Sequence, residues 1–108
     1  MLYLIIYDIT DNSLRNKLAD ILKDFGLDRI QYSAFIGTLK RHELNSLIAR
    51  IKKLLASKEF KEGERVRNVQ IYPIPNYSKE RRTEISYDGK KLYIMHGYKG
   101  YEDKVVFI

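Results

Sequence analysis

An aspartate directly after a run of apolar residues is the first candidate for chemistry in this sequence. Asp8 follows residues 2–7, a run of leucine, isoleucine and tyrosine that predicts a central strand covered on both faces. A carboxylate at the end of a buried strand has a rigid mount and can hold a divalent cation or orient water. The alternative is an acid at the start of a loop that caps the backbone N–H groups around Asp11 and Asn12.

One carboxylate is too few for a hydrolytic metal site. Mg²⁺ takes about six oxygen ligands, usually with one or two carboxylates among them. An isologous dimer repeats every residue, so two subunits could bring two copies of Asp8 together. Their charges repel unless a cation bridges them, which would couple metal binding to the geometry of the dimer.

Two arginines and two strand residues are further candidates. Arg15 lies in the first turn of a predicted helix, near the Asp8 end of the sheet, where it could pair with that acid or bind a phosphate. The alternative for Arg15 is a solvated helix residue, and the same two options stay open for Arg29. Phe35 is favoured as plain core, whereas Ser33 is a polar strand residue that could face solvent, a partner or a substrate.

Tyrosines interleaved with basic residues in the last third of the chain form a candidate nucleic-acid surface. Tyrosine can stack on single-stranded bases, but it is equally a good strand and interface residue. The tyrosines are Tyr77, Tyr87, Tyr93, Tyr98 and Tyr101, and the basic residues are Lys79, Arg81, Arg82, Lys90 and Lys91.

Length and composition exclude several classes of protein. The 108 residues are expected to form one domain, and a net charge of +6 favours a polyanionic partner, nucleic acid before membrane. The alternative is a merely basic, soluble surface. The absence of cysteine excludes disulfides, zinc–thiolate sites and a cysteine nucleophile, and favours the cytoplasm. No apolar run approaches the roughly 18 residues that span a bilayer, and no glycine-rich phosphate loop, HExxH or GxSxG motif is present.

Strands and helices alternate in the segment that must position these residues. Apolar residues at helical spacing between Leu14 and Phe25 predict an amphipathic helix, with cap chemistry at residues 11–13 and a terminating glycine at Gly26. Residues 27–39 are predicted to be extended, with a tight turn or bulge near Tyr32 and Ser33.

A second helix and a last core strand complete this segment. Residues 44–55 repeat apolar side chains at helical spacing, and residues 66–74 predict a strand that Pro73 places at a sheet edge. The order predicts an α+β protein of the ferredoxin-like (split βαβ) type, an antiparallel sheet with two helices on one face.

The chain after the core is more polar. We divide the sequence into a ferredoxin-like core, residues 1–76, and a C-terminal extension, residues 77–108. The extension holds a turn signal at Asp88 and Gly89, and ends in an apolar segment at residues 105–108. We expect this last segment to be a strand that packs on a partner subunit.

These segments, in this order, resemble the small CRISPR-associated endoribonucleases. That family is the smaller of the two proteins of spacer acquisition. The resemblance covers about residues 1–76. It rests on Asp11 and Arg15 in the first helix, on Phe25 and Gly26 at its end, and on three strands. The strands are residues 3–9 (YLIIYDI), 31–35 (QYSAF) and 69–74 (VQIYPI).

The resemblance implies a ferredoxin-like homodimer that uses Mg²⁺ (or Mn²⁺) to cut single-stranded RNA or double-stranded DNA and that bridges copies of the CRISPR integrase protein on DNA. Asp8 matches the family's metal-linked acid, Arg15, Arg29 and Phe35 match positions implicated in activity, and Ser33 matches the polar position before that phenylalanine. A second arginine often follows the Arg15 position by two residues. Here it is Lys17, which keeps the charge but loses bidentate phosphate geometry. The residues expected to bind nucleic acid are Arg15, Lys17, Arg29, Lys79, Arg81 and Arg82.

Three other functions stay open at this point. The first is a toxin-like messenger-RNA endoribonuclease of the same fold, which an antitoxin gene beside this one would indicate. The second is a non-catalytic scaffold whose basic faces hold DNA. The third is a ferredoxin-like regulatory domain for a small molecule, which would have a ligand pocket and no affinity for nucleic acid.

Overall fold

The computed structural model describes residues 1–75, 81–97 and 104–107, the last four by their backbone. The chain divides into two compact units, Met1–Pro73 and Ile74–Ile108. The described residues form seven strands and two helices, in chain order β1 Leu2–Ile9, α1 Asn12–Asp24, β2 Asp28–Gln31, β3 Ala34–Thr38, α2 Arg41–Leu55, β4 Arg67–Ile74, β5 Thr83–Tyr87, β6 Leu92–His96 and β7 Lys104–Phe107.

The first sheet has the strand order β2-β3-β1-β4. β3 pairs antiparallel with both β1 and β2, so β1 and β2 run in the same direction with β3 between them. This is the split β-α-β arrangement, and it confirms the predicted ferredoxin-like class. β4 lies at a sheet edge, which is where a strand tolerates Pro73 because no neighbour needs the missing N–H group.

Helix α1 begins and ends at the residues that the sequence predicts. The Asp11 side chain accepts a hydrogen bond from the Leu14 backbone N–H at 3.0 Å and caps the helix. Phe25 ends the helix, and Gly26 follows with a φ of +82°. The N–H of Leu27 reaches the carbonyl of Leu22 at 3.1 Å, which completes a Schellman cap that favours glycine at this position.

Helix α2 lies on the same face of the sheet as α1. Its first turn is closed by the Glu43 carboxylate, which accepts a hydrogen bond from the Lys40 backbone N–H at 2.8 Å. Leu47 and Ile51 are buried in one core with Leu18 and Leu22 of α1. No helix in the described ranges is long and apolar enough to cross a membrane.

The prediction that β1 is covered on both faces holds at Leu2, which is 1% exposed, and is wrong at Ile6 and Asp8 on the same face. Ile5, Tyr7 and Ile9 point into the core beneath the helices, whereas Ile6 is 40% exposed and Asp8 is exposed. Side chains alternate along a strand, and both helices lie on the Tyr7 side. We call the other side, which carries Ile6 and Asp8, the helix-free face.

The second unit contains an antiparallel sheet of order β5-β6-β7. Its first hairpin turns where the sequence predicts, at Asp88 and Gly89, and Gly89 has a φ of +92°. β7 forms a strand in the predicted terminal segment and pairs with β6 of the same chain. Its packing on a partner subunit stays a prediction, and Ile108 lies outside the described residues.

Candidate functional site

The predicted site residues are divided between the two faces of the first sheet. Asp8 lies on the helix-free face, because its neighbours Tyr7 and Ile9 point into the core. Phe35 lies opposite Ile5 in the β1–β3 register, and Arg29 lies opposite Phe35 in the β2–β3 register. Cross-strand partners share a face, so Phe35 belongs to the helix-covered side. The fold therefore does not bring the acid and Phe35 together within one subunit.

Asp8 is an unpaired carboxylate as far as the structure describes the chain. It forms no hydrogen bond or ion pair with any residue of the described ranges. The expectation that Arg15 could pair with it is wrong, because the Arg15 guanidinium donates through Nη1 to the Ile9 carbonyl at 2.9 Å and through Nη2 to Asn12 Oδ1. The alternative that Asp8 caps the helix start is also wrong, since Asp11 does so.

Arg15 and Arg29 meet over the exposed ring of Tyr32, which forms the turn between β2 and β3. Their guanidinium carbons lie 5.5 Å and 5.9 Å from the centroid of the Tyr32 ring. The Arg29 guanidinium carbon also lies 5.0 Å from the centroid of the Phe35 ring, and its Nη2 donates to the Tyr7 hydroxyl at 3.5 Å. We call Arg15, Arg29 and Tyr32 the arginine–tyrosine cluster.

Phe35 supports this cluster with its buried ring, and Ser33 supports it with its backbone carbonyl. Phe35 is 0% exposed and stacks on Tyr7, with 6.3 Å between the ring centroids. The Ser33 carbonyl accepts a hydrogen bond from the Tyr7 N–H at 3.0 Å, which extends the β1–β3 pairing to the turn. Phe35 is thus a core residue whose ring also supports Arg29, and Ser33 contributes through its backbone.

Tyr32 is a residue of the candidate site that was not predicted from the sequence. The turn at Tyr32 and Ser33 was predicted, but without a role for the tyrosine side chain. The signal was a large aromatic residue at a tight turn, three residues after an arginine, where a turn normally carries a small polar residue. The convergence of Arg15, which is 17 positions earlier in the chain, could only be seen in the fold.

A second group of charges joins the start of α1 to the loop after α2. Asp11 is buried, and its Oδ2 lies 3.0 Å from Lys58 Nζ and 2.9 Å from Lys61 Nζ. The hydrogen bond from the Leu14 N–H, followed by those from the two lysines, holds the pKa of the Asp11 carboxyl well below its usual range. This acid is structural, since its oxygens are already engaged by the helix and the loop.

The remaining basic candidates have different surroundings. Lys17 is exposed on α1, and Arg81 is exposed at the start of the second unit. Arg82 is partly buried, and its guanidinium donates through Nη1 to the Gly97 carbonyl at 3.0 Å and pairs with Glu84 at 3.3 Å. Lys79 lies outside the described residues.

Among the described residues, Asp8 offers a metal ion a single carboxylate. The described residues contain no group of three or more histidine, aspartate or glutamate side chains that could hold a metal ion. An exposed carboxylate without a partner among those residues fits an Mg²⁺ ligand, but Mg²⁺ needs further oxygens from water, phosphate or a second subunit.

The fold and these side chains define a small ferredoxin-like protein with an exposed acid on its first strand and a basic, aromatic turn at the same end of the sheet. Residues 1–82 match the family described as CRISPR associated protein Cas2, and the chain belongs to that family. The membership confirms the resemblance inferred from the sequence.

Three relatives and one solved structure illustrate the similarity. A "CRISPR-associated endoribonuclease Cas2" of Korarchaeum cryptofilum is 59% identical over 44 residues, which are 41% of this chain and 47% of that protein. A "CRISPR-associated endoribonuclease Cas2 2" of Pyrobaculum aerophilum is 44% identical over 54 residues, 50% of this chain and 59% of that protein. The chain thus spans about half the length of these two relatives.

The third relative is a fusion. A "CRISPR-associated endonuclease Cas1/endonuclease Cas2 fusion" of Thermoproteus tenax is 45% identical over 51 residues, 47% of this chain and 19% of the fusion. Among solved structures, a hypothetical protein from Thermus thermophilus shares 35% identity at a TM-score of 0.56, and the match covers 69% of this chain and 82% of that one.

Proposed function

We propose that this chain is a metal-dependent endonuclease of CRISPR spacer acquisition that cleaves phosphodiester bonds of single-stranded RNA, double-stranded DNA or both. The observation that carries the proposal is the Asp8 carboxylate, exposed on the helix-free face and without a partner among the described residues. The strand holds this acid rigidly, and the relatives are named endoribonucleases. Asp8 is therefore the best candidate for hydrolytic chemistry among the described residues.

A homodimer would complete the site. Ile6, two residues before Asp8 on the same face, is 40% exposed, and a second copy packed on this face would remove it from water. An isologous contact through this face would bring two copies of Asp8 together. Each copy of Asp8 would supply one oxygen ligand to Mg²⁺ (or Mn²⁺), and the bound cation would lower the pKa of a water molecule and offset phosphate charge.

The basic residues would bind and orient the polynucleotide. Arg15 and Arg29 lie on the helix-covered side but at the same end of the sheet as Asp8. Both arginines contact Tyr32, and the next residue of that turn, Ser33, accepts a hydrogen bond from the N–H of Tyr7, which precedes Asp8. A nucleic-acid strand that contacts both arginines and Asp8 would therefore pass around the end of β1. Lys17 would add a single charge contact without the bidentate geometry of arginine. Arg81 and Arg82 of the second unit would supply further phosphate contacts, with Arg82 partly occupied by Glu84, and Lys79 remains a candidate from the sequence alone.

We further propose that the CRISPR integrase protein is the partner of the dimer. The fused relative of Thermoproteus tenax, whose name joins Cas1 to Cas2, supports this proposal. We place the activity in the cytoplasm, where nucleic acid is accessible and where a protein without cysteine is at no disadvantage.

Cleavage assays with a matched pair of acid variants test the enzyme. Wild type, Asp8→Asn and Asp20→Asn would each be incubated with labelled single-stranded RNA and with duplex DNA, in Mg²⁺, in Mn²⁺ and in EDTA. Asp20 is an exposed acid of α1 and controls for the loss of one negative charge. We expect metal-dependent cleavage by wild type and Asp20→Asn and none by Asp8→Asn. Equal cleavage by all three proteins would refute the assigned site.

A non-catalytic DNA scaffold is the second candidate, and the net charge of +6 with exposed Lys17 and Arg81 favours it. It predicts duplex binding that weakens steeply with salt and survives Asp8→Asn. Light scattering on the same proteins would report the dimer, and a monomer at assay concentration would exclude a site shared between two copies of Asp8.

A further inference from the structure

Tyr32 is a large aromatic ring that is exposed to solvent and lies close to two guanidinium groups. It is 66% exposed, and the guanidinium carbons of Arg15 and Arg29 lie 5.5 Å and 5.9 Å from its ring centroid. Exposure of this extent leaves ring surface free for another planar group. Such an arrangement joins a stacking surface to two positive charges.

The turn that carries Tyr32 is held rigidly against β1. The buried Tyr7 side chain donates its hydroxyl hydrogen bond to the Tyr32 carbonyl at 3.3 Å, and the Tyr7 N–H donates to the Ser33 carbonyl at 3.0 Å. These two bonds hold the backbone at Tyr32 and at the residue that follows it. The platform is therefore in place before any ligand binds, which reduces the entropy lost on binding.

The two arginines keep their charge available. Arg15 is oriented by the Ile9 carbonyl, and Arg29 by the Phe35 ring and the Tyr7 hydroxyl, all of which are neutral groups. No carboxylate in the described ranges forms an ion pair with either arginine. Two guanidinium groups without acidic partners beside an exposed ring match a base with a phosphate on each side of it.

We infer that the arginine–tyrosine cluster is a stacking site for one unpaired nucleobase of a single-stranded RNA, with Arg15 and Arg29 on the flanking phosphates. The inference rests on the proposed function and adds a specificity to it. A base in a duplex has both faces covered by its neighbours, so the site selects unpaired over paired substrate. Stacking on tyrosine does not depend on base identity, because every base has a π face.

Binding measurements with four proteins test this inference. Wild type, Tyr32→Phe, Tyr32→Leu and Phe60→Leu would be titrated with a short single-stranded RNA that carries 2-aminopurine, whose fluorescence falls on stacking, and with a duplex of equal length. Phe60 is a matched control, since its ring is 57% exposed and lies 4.5 Å from the guanidinium carbon of Arg67, an arginine already paired with Glu64. Mg²⁺ would be replaced by EDTA so that binding is read without cleavage.

We expect Tyr32→Leu to bind the single strand about 5- to 150-fold more weakly than wild type, the range for loss of one base–aromatic stack. It should also lose the fluorescence quenching while keeping its duplex affinity. Tyr32→Phe, which keeps the ring face, and Phe60→Leu should match wild type in both readouts. Leucine keeps the bulk of the side chain at an exposed turn, so Tyr32→Leu retains the fold.

Three results would overturn the inference and separate it from the proposed function. Wild-type binding and metal-dependent cleavage, with no quenching and an unchanged Tyr32→Leu affinity, would refute the stacking site and leave the nuclease intact. An equal loss of affinity for single strand and duplex in Tyr32→Leu would show that the ring only positions the arginines. A wild-type protein that binds only the duplex would refute the stacking site alone, and one that binds neither nucleic acid would refute the proposed function itself.

Discussion

Replacing Phe35 with alanine should destabilise the fold rather than remove a catalytic group. Phe35 is 0% exposed, packs in the core with Ile5 and Tyr7, and supports the Arg29 guanidinium 5.0 Å from its ring centroid. Truncation of a buried phenylalanine costs about 3–5 kcal/mol. Domains of this size are stable by about 5–15 kcal/mol, so the variant should still fold in water but with a much smaller margin.

Urea denaturation gives the measurement. With an m-value of about 2 kcal/mol/M, a loss of about 4 kcal/mol lowers the unfolding midpoint by about 2 M. Leu22→Ala is the matched control, because Leu22 is equally buried in α1 but does not contact the arginine–tyrosine cluster in any described interaction. Tyr32 and both arginines are unchanged in this control.

The cleavage rate, divided by the concentration of folded protein, then distinguishes a packing role of Phe35 from participation in the reaction. If Phe35 acts by packing, Phe35→Ala should keep activity at low temperature to about the same extent as Leu22→Ala, apart from the weaker support of Arg29. A Phe35→Ala protein with the wild-type midpoint and no cleavage would refute this reasoning and make Phe35 a participant in the reaction.

Three further predictions concern single positions. In the folded protein the pKa of Asp11 is lower than in the unfolded chain, so its ionic contribution to stability is present above about pH 4 and is lost as the pH falls further. Asp11→Asn keeps a cap at the helix start, and its unfolding midpoint should depend less on pH in this acid range. Gly37→Ala should lower the Tm by about 5–15 °C, because an added Cβ would lie 2.5 Å from Leu27 Cδ2 and 3.2 Å from Leu27 Cα. Lys17→Ala should reduce the slope of log affinity against log salt for single-stranded RNA by about 0.7, the value for one phosphate contact.

Each of these predictions has a result that contradicts it. For Asp11→Asn it is an acid-range profile parallel to that of wild type, and for Gly37→Ala it is a Tm within about 1 °C of wild type. For Lys17→Ala it is an unchanged salt slope, with Asp20→Asn as the control for a general change of charge on α1.

Local patterns predicted the elements of the first unit well. The cap at Asp11, the terminating Gly26 and the turn at Tyr32 and Ser33 all depend on hydrogen bonds or backbone angles within about five residues. Such interactions are encoded in short stretches of sequence. The order of these elements was then enough to predict the ferredoxin-like sheet.

The composition of the candidate site was harder to predict. Asp8 was identified from its place after a strand. A pairing with Arg15, one of the options that the sequence left open, does not form, because the side of the strand on which an acid lies depends on the register. The role of Asp11 as the partner of Lys58 and Lys61 was likewise missed, since those lysines are more than 45 residues away in the chain.

The amino-acid sequence by itself determined the helices and strands of the first unit and the family of the chain, because periodicity, capping and turn chemistry operate between near neighbours. Only the tertiary structure decided that Asp8 lies on the helix-free face while Arg15 and Arg29 meet over Tyr32. The physical reason is that these relations depend on which strands pair, in which register, and on which side both helices pack.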